Sequence, residues 1–89
     1  MTANAVSQII ENILITHFSA KEELIKPNVL FRDIYPNFIL LSNVLLLENL
    51  ISDAIGQPIR IRGKISLANA AIEEVINFII ASLNEIYKI

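Results

Sequence analysis

The sequence predicts an all-α fold, a small bundle of three to four helices. Apolar residues recur every three or four positions near both ends of the chain, which is the spacing of helices that bury one face. Only two glycines and three prolines interrupt the 89 residues. Apolar residues make up 54% of the chain, so their burial can offset the entropy of ordering it. A chain of this length supports one core, and we expect a single domain over residues 1–89.

The first helix is predicted from about Ala5 to Phe18, and either Thr2 or Asn4 can cap its start. Its apolar residues follow the i, i+3, i+4, i+7 spacing of a buried face. They are Val6, Ile9, Ile10 and Ile13.

A short helical turn is predicted to follow. Ser19 and Glu22 have the spacing of a capping box, in which the serine accepts from the backbone and the glutamate reaches back. The turn must end before Pro27, because proline disfavours helical geometry in the residue before it. The loop after Pro27 is expected to insert apolar residues between the helices. These are Val29, Leu30, Phe31 and Ile34.

A second long helix is predicted from near Asn37 to about Ile55, with Gly56 ending it in a left-handed conformation. Its first half, residues 38–47, is apolar at almost every angle around the axis. Such a helix is buried on most sides, either within its own chain or against another chain.

The segment from Gln57 to Lys64 is predicted to be a connector. Arg60 and Arg62 alternate in it with isoleucines, but a single strand would have no partner, so an irregular segment or a short helix is expected. Ser66 is expected to cap the last helix, which should continue to Lys88. The apolar stripe of that helix is Ile72, Val75, Ile76, Ile79, Leu83 and Ile86.

Composition excludes several functions. The net charge of −2 is not that of a nucleic-acid-binding surface, and the chain has no cysteine and one histidine, His17. No signal peptide is recognised, and residues 38–47 are too short to cross a bilayer, so a cytoplasmic location is expected. The adjacent pairs Glu22-Glu23 and Glu73-Glu74 point in different directions on a helix. We expect no enzymatic activity and no bound metal.

The loop from Pro27 to Ile39 resembles that of acyl carrier proteins. In that family, Asp-Leu-Gly-x-Asp-Ser-Leu presents a serine at the start of the second helix. Here Asp33-Ile34 takes the place of Asp-Leu, and Asn37-Phe38-Ile39 that of Asp-Ser-Leu. Residues 55–59 and 65–72 are similar to the family's turn after the second helix and its entry to the last helix. The resemblance implies an acyl carrier protein-like bundle.

The attachment serine of the family is missing from this alignment. Phe38 stands in its place, and Tyr35 replaces the loop glycine. The second helix must also carry about three extra residues, roughly one turn. If that insertion precedes the helix, Leu41 falls at the serine position and Ser42 lies next to it. Ser42 is then the candidate for phosphopantetheine attachment, or else an ordinary helix serine bonded to the carbonyl one turn back.

These observations lead to one hypothesis and two alternatives. The hypothesis is a non-catalytic, carrier-like domain that acts by protein–protein contact without phosphopantetheine. Such a domain can act beside a lipid or polyketide enzyme system or serve an unrelated assembly. The alternatives are a divergent acyl carrier modified at Ser42, and an unrelated helical dimerisation or adaptor domain. We expect a protein partner or a second copy, with a homodimer formed through residues 38–47.

The candidate contact residues form two groups. The apolar group can belong either to the core or to a partner-binding patch, and it comprises Tyr35, Phe38 and Ile39. The basic group can be a solvated connector, or it can bind a phosphate or an acidic partner, since arginine pairs with oxyanions. It comprises Arg60 and Arg62, with Lys64 beside them.

Overall fold

A computed structural model describes residues 2–87 of the chain, and the side chains of residues 2–84. It contains four α-helices: α1 (Ala3–Phe18), α2 (Phe31–Ile34), α3 (Leu41–Ile55) and α4 (Ile72–Tyr87). Three short 3₁₀ segments accompany them, at Glu22–Leu24, Pro36–Ile39 and Leu67–Asn69. Helix α1 packs against α3 and α4, and α2 packs against the second and third 3₁₀ segments. The predicted all-α bundle is confirmed.

Helix α1 starts at one of the two predicted caps, but its end is not as the sequence suggested. The Ala5 N–H donates to Thr2 Oγ1 at 3.2 Å, so Thr2 is the N-cap. Ser19 has φ +55° and ends α1 in the left-handed region. The capping box expected at Ser19 is therefore wrong. The following turn, Glu22–Leu24, starts after Lys21 without a side-chain cap and, as predicted, ends before Pro27.

The loop before α2 is tied to the start of α4. The Phe31 N–H donates to the Ala70 carbonyl, and the N–H groups of Ile72 and Glu73 donate to the carbonyls of Val29 and Pro27, all at 3.0–3.1 Å. The first N–H groups of a helix have no partner inside it, and here distant backbone carbonyls accept from them.

Ser66 therefore does not cap the last helix. It precedes the 3₁₀ segment Leu67–Asn69, and its hydroxyl accepts from Asn69 Nδ2 at 3.2 Å. Helix α4 begins only at Ile72, where the loop carbonyls satisfy its N–H groups.

Helix α3 begins later than predicted. Leu40 is extended, with φ −82° and ψ 129°, and this break separates α3 from the 3₁₀ segment that contains Asn37. Its end is confirmed, because Gly56 has φ +82° and closes the helix with its N–H on the Ser52 carbonyl. Leu47 and Ile51 are the fully buried residues of α3, so its own chain does not bury this helix on most sides, and burial against another chain stays a prediction.

The core lies between the long helices and receives the predicted loop. Phe31 and Ile34 are buried, while Val29 and Leu30 are half-buried. In the connector, isoleucines are buried and arginines exposed, so their alternation marks an inner and an outer face without a strand. The predicted α4 stripe is buried from Ile72 to Leu83. The expectations for the Ile86 side chain and for Lys88 lie outside what the structure describes.

Across residues 2–87, none of the helices has both the length and the apolar character needed to cross a membrane.

Candidate functional site

Phe38 lies at the centre of an aromatic cluster. Its ring centroid is 4.8 Å from that of Phe18, 5.0 Å from that of Tyr35 and 5.6 Å from that of Phe31. Most of these pairs are edge-to-face, the arrangement that aromatic quadrupoles prefer. Of the two roles open to Phe38, the structure therefore gives the core, and only 1% of its surface is exposed. Tyr35 is half-buried against the same cluster.

The three residues after Phe38 form an exposed apolar edge. Ile39 is 78% exposed, Leu40 52% and Leu41 54%. The cause is the backbone: once Phe38 points inward, the end of the 3₁₀ segment and the extended Leu40 direct the next side chains to solvent. We call Ile39, Leu40 and Leu41 the apolar edge.

A groove of about 630 Å³ lies beside the apolar edge. That volume is typical of small-molecule sites and falls between about 300 and 1,000 Å³. One wall comes from residues 32–44 and the other from residues 62–69. Its apolar lining consists mainly of Phe38, Ile39, Leu41, Val44, Ile65 and Leu67.

Two polar side chains of α3 hold the connector that leads into the second wall. Ser52 Oγ accepts from the Ile59 N–H at 2.9 Å and donates to the Ile59 carbonyl at 3.2 Å. A carboxylate oxygen of Glu48 accepts from the N–H groups of Ile61 and Arg62, at 2.6 and 3.1 Å. These bonds fix the connector backbone and thereby place Arg62 at the groove.

Two arginines bring positive charge to the groove. Arg62 lines one wall and Arg32 the other, with Asp33 as the acidic lining residue. Arg32 Nη1 donates to Asn69 Oδ1 at 3.3 Å. Within the described side chains, neither guanidinium forms an ion pair. Among the described residues, no bonded carboxylate neutralises the charge of either arginine.

The sequence-predicted contact residues separate into three places. Ile39 and Arg62 meet at the groove, and the floor of the groove includes the buried Phe38. Tyr35 belongs to the aromatic cluster, and Arg60 is exposed but does not line the groove.

The sequence interpretation missed Arg32 and Asn69, which line the groove, and it missed Glu48 and Ser52, which hold the connector. A signal existed for Glu48 and Ser52, because polar residues four positions apart share one face of an otherwise apolar helix.

Ser42 is the second residue of α3 and is exposed. The expected hydrogen bond to the carbonyl one turn back is not formed, and the hydroxyl has no partner among the described residues. The reason is the helix start: the carbonyl four residues back belongs to Phe38, which lies before the break at Leu40. The alternative of an internally bonded helix serine is therefore wrong.

Comparisons of the chain with protein-family models, curated proteins and solved structures find no match. The resemblance to acyl carrier proteins rests on the residues quoted for it.

Proposed function

We propose that this chain is a non-enzymatic helical domain that acts by protein–protein contact through the apolar edge and the groove. The observation that carries the proposal is the exposure of three consecutive apolar residues beside a groove with an apolar floor. Contiguous exposed apolar surface marks interaction sites in folded proteins. The resemblance to carrier proteins favours a partner from lipid or polyketide synthesis.

The contact surface is smaller than the sequence suggested. Phe38 and Leu47 are buried in the core, so they add almost no exposed surface to a contact. A large aliphatic side chain contributes about 1.5–3 kcal/mol when it passes from full exposure to full burial. The residues of the apolar edge are 52–78% exposed, so each can contribute a part of that amount to a contact. One form of the proposal is a homodimer formed through this edge. This form does not depend on a relationship to carrier proteins. Contact with a different protein is the other form.

Site-specific photocrosslinking tests both forms. A photoreactive benzoyl-phenylalanine replaces Leu41 in the full chain, expressed in the source cells, and crosslinked products are identified by mass spectrometry. The matched control carries the same residue at Leu24, which is 41% exposed and lies outside the apolar edge and the groove. We expect one discrete product from position 41, a dimer or a single partner, and none from position 24. No discrete product from position 41 would contradict the proposal.

A second candidate function is that of a divergent acyl carrier modified at Ser42. The favouring observation is that Ser42 is exposed in the first turn of α3, since the resemblance implies an attachment serine at a helix start. Its neighbours are unfavourable: Leu41 stands where the family has an acidic residue, and Asn43 where it has a leucine. We therefore place contact without phosphopantetheine first.

A further inference from the structure

We infer that the groove binds an amphipathic helix of a partner protein whose polar face is acidic. Apolar residues of that helix would pack between the walls at Leu41 and Ile65, and its carboxylates would pair with Arg32 and Arg62. The inference rests on the proposed function and specifies the chemistry of the partner.

Charge complementarity selects an acidic partner. The chain carries a net charge of −2, yet its groove is lined by two arginines and one aspartate. Among the described residues, the guanidinium of Arg62 has no hydrogen-bond partner. The guanidinium of Arg32 donates a hydrogen bond to the neutral side-chain amide of Asn69. Arginine binds carboxylates through paired N–H donors, and such charge-assisted bonds are stronger than neutral ones.

The same charges disfavour a second copy in this groove. In a two-fold dimer the same patch of each subunit meets its own copy. A dimer centred on the groove would therefore bring four arginines together with two copies of Asp33. Like charges facing one another across an interface oppose association.

The form of the groove favours a helix over other peptide conformations. An added strand needs an exposed sheet edge, and residues 2–87 form no strand. A polyproline segment needs a groove lined by exposed aromatic rings, whereas the one aromatic lining residue, Phe38, is 1% exposed. A helix satisfies its own backbone hydrogen bonds, so it can enter an apolar groove without unpaired polar groups.

The extent of the apolar surface favours a helix over a small ligand. Leu40 is 52% exposed and lies outside the groove lining. A small molecule in the groove would leave it in water. A helix is about 10–12 Å across with its side chains, so a helix in the groove can also contact the neighbouring Leu40.

Fluorescence anisotropy with designed peptides tests the inference. The probe is a labelled peptide of about 18 residues, long enough to fold as a helix on binding, with leucines on one face and glutamates on the other. A second peptide replaces every glutamate with lysine, and a third scrambles the order of the first. The protein is the full chain as wild type, Arg62→Glu and Arg60→Glu. Arg60→Glu is the matched control, because it changes the net charge equally but lies outside the groove.

The expected pattern is specific. Wild type binds the glutamate peptide, and Arg62→Glu weakens that binding about tenfold or more, as loss and reversal of a charge-assisted pair should. Arg60→Glu changes the affinity for the glutamate peptide less than about threefold, because a more distant charge is screened by salt. The lysine and scrambled peptides bind wild type at least about tenfold more weakly. The glutamate peptide gains helical circular dichroism when it binds, and the thermal unfolding of both variants matches that of wild type.

Other results overturn the inference. Equal weakening by Arg60→Glu, equal binding of the scrambled peptide, or preference for the lysine peptide would each show that the groove does not recognise an acidic helix. If one of these peptide results is obtained but crosslinking from position 41 yields a discrete product, the contact function stands and only the acidic-helix partner is wrong. If neither peptide binding nor crosslinking is found, both proposals fail.

Discussion

Phe38 shows how one residue determines the surroundings of the site. In the resemblance to carrier proteins it occupies the place of an exposed serine, but the structure makes it the centre of four aromatic rings. The sequence contained a signal, because residues 31, 35 and 38 have the four- and three-residue spacing of side chains that share a face. The fourth ring, Phe18, comes from the far end of α1, and no local pattern connects it to the other three.

Replacement of Phe31 tests the predicted anchoring of the loop. Its side chain is fully buried, so Phe31→Ala should lower the free energy of unfolding by about 3–5 kcal/mol. Urea denaturation measures the change. A loss below about 1 kcal/mol would mean that the side chain is exposed and that the loop is placed wrongly.

Phe38 and Ile39 are adjacent in sequence and opposite in burial, and so provide a paired test. Phe38→Ala should cost about 3–5 kcal/mol, since it removes a ring from the centre of the cluster. Ile39→Ala should change the free energy of unfolding by less than about 0.5 kcal/mol, since the side chain is 78% exposed. Similar losses for the two variants in urea denaturation would contradict the inward turn at Phe38.

At the scale of elements, α3 organises the connector through Glu48. Its carboxylate accepts hydrogen bonds from two backbone N–H groups of the connector. The hydroxyl of Ser52, one turn later, accepts a hydrogen bond from a third, that of Ile59. Glu48→Ala would leave the part-buried Ile61 N–H without an acceptor, which costs about 1–3 kcal/mol. Asp53→Ala on the same helix, at an exposed position, should change stability by less than about 0.5 kcal/mol. Equal urea midpoints for the two variants would show that Glu48 does not hold the connector.

Element ends differ in how far local chemistry determines them. The end of α3 was predictable because Gly56 supplies the left-handed residue that a helix end requires. The starts of α3 and α4 were not, because tertiary contacts set them. Inward packing of Phe38 accompanies the break at Leu40, and carbonyls of the 27–31 loop satisfy the first N–H groups of α4. A serine such as Ser66, at a suitable distance before an apolar helical stripe, is therefore not enough to predict where the helix starts.

At the scale of the whole molecule, the apolar surplus in the composition reappears as exposed surface. The sequence indicated that a bundle of this size cannot cover residues 38–47, and the exposed apolar edge lies at their beginning. It could not indicate which of these residues point outward, because that depends on the extended Leu40. The groove was also beyond sequence reasoning, since its arginines come from positions 32 and 62 and meet only in the folded chain.

Ser42 decides whether the chain works as a contact surface or as a carrier of a covalent cofactor. The purified chain is incubated with a broad-specificity phosphopantetheinyl transferase and coenzyme A, beside Ser42→Ala and an authentic acyl carrier protein, and intact masses are recorded. The contact proposal predicts an unchanged mass for the chain while the authentic carrier is modified. An adduct on the wild-type chain that is absent from Ser42→Ala would contradict it and establish the carrier function.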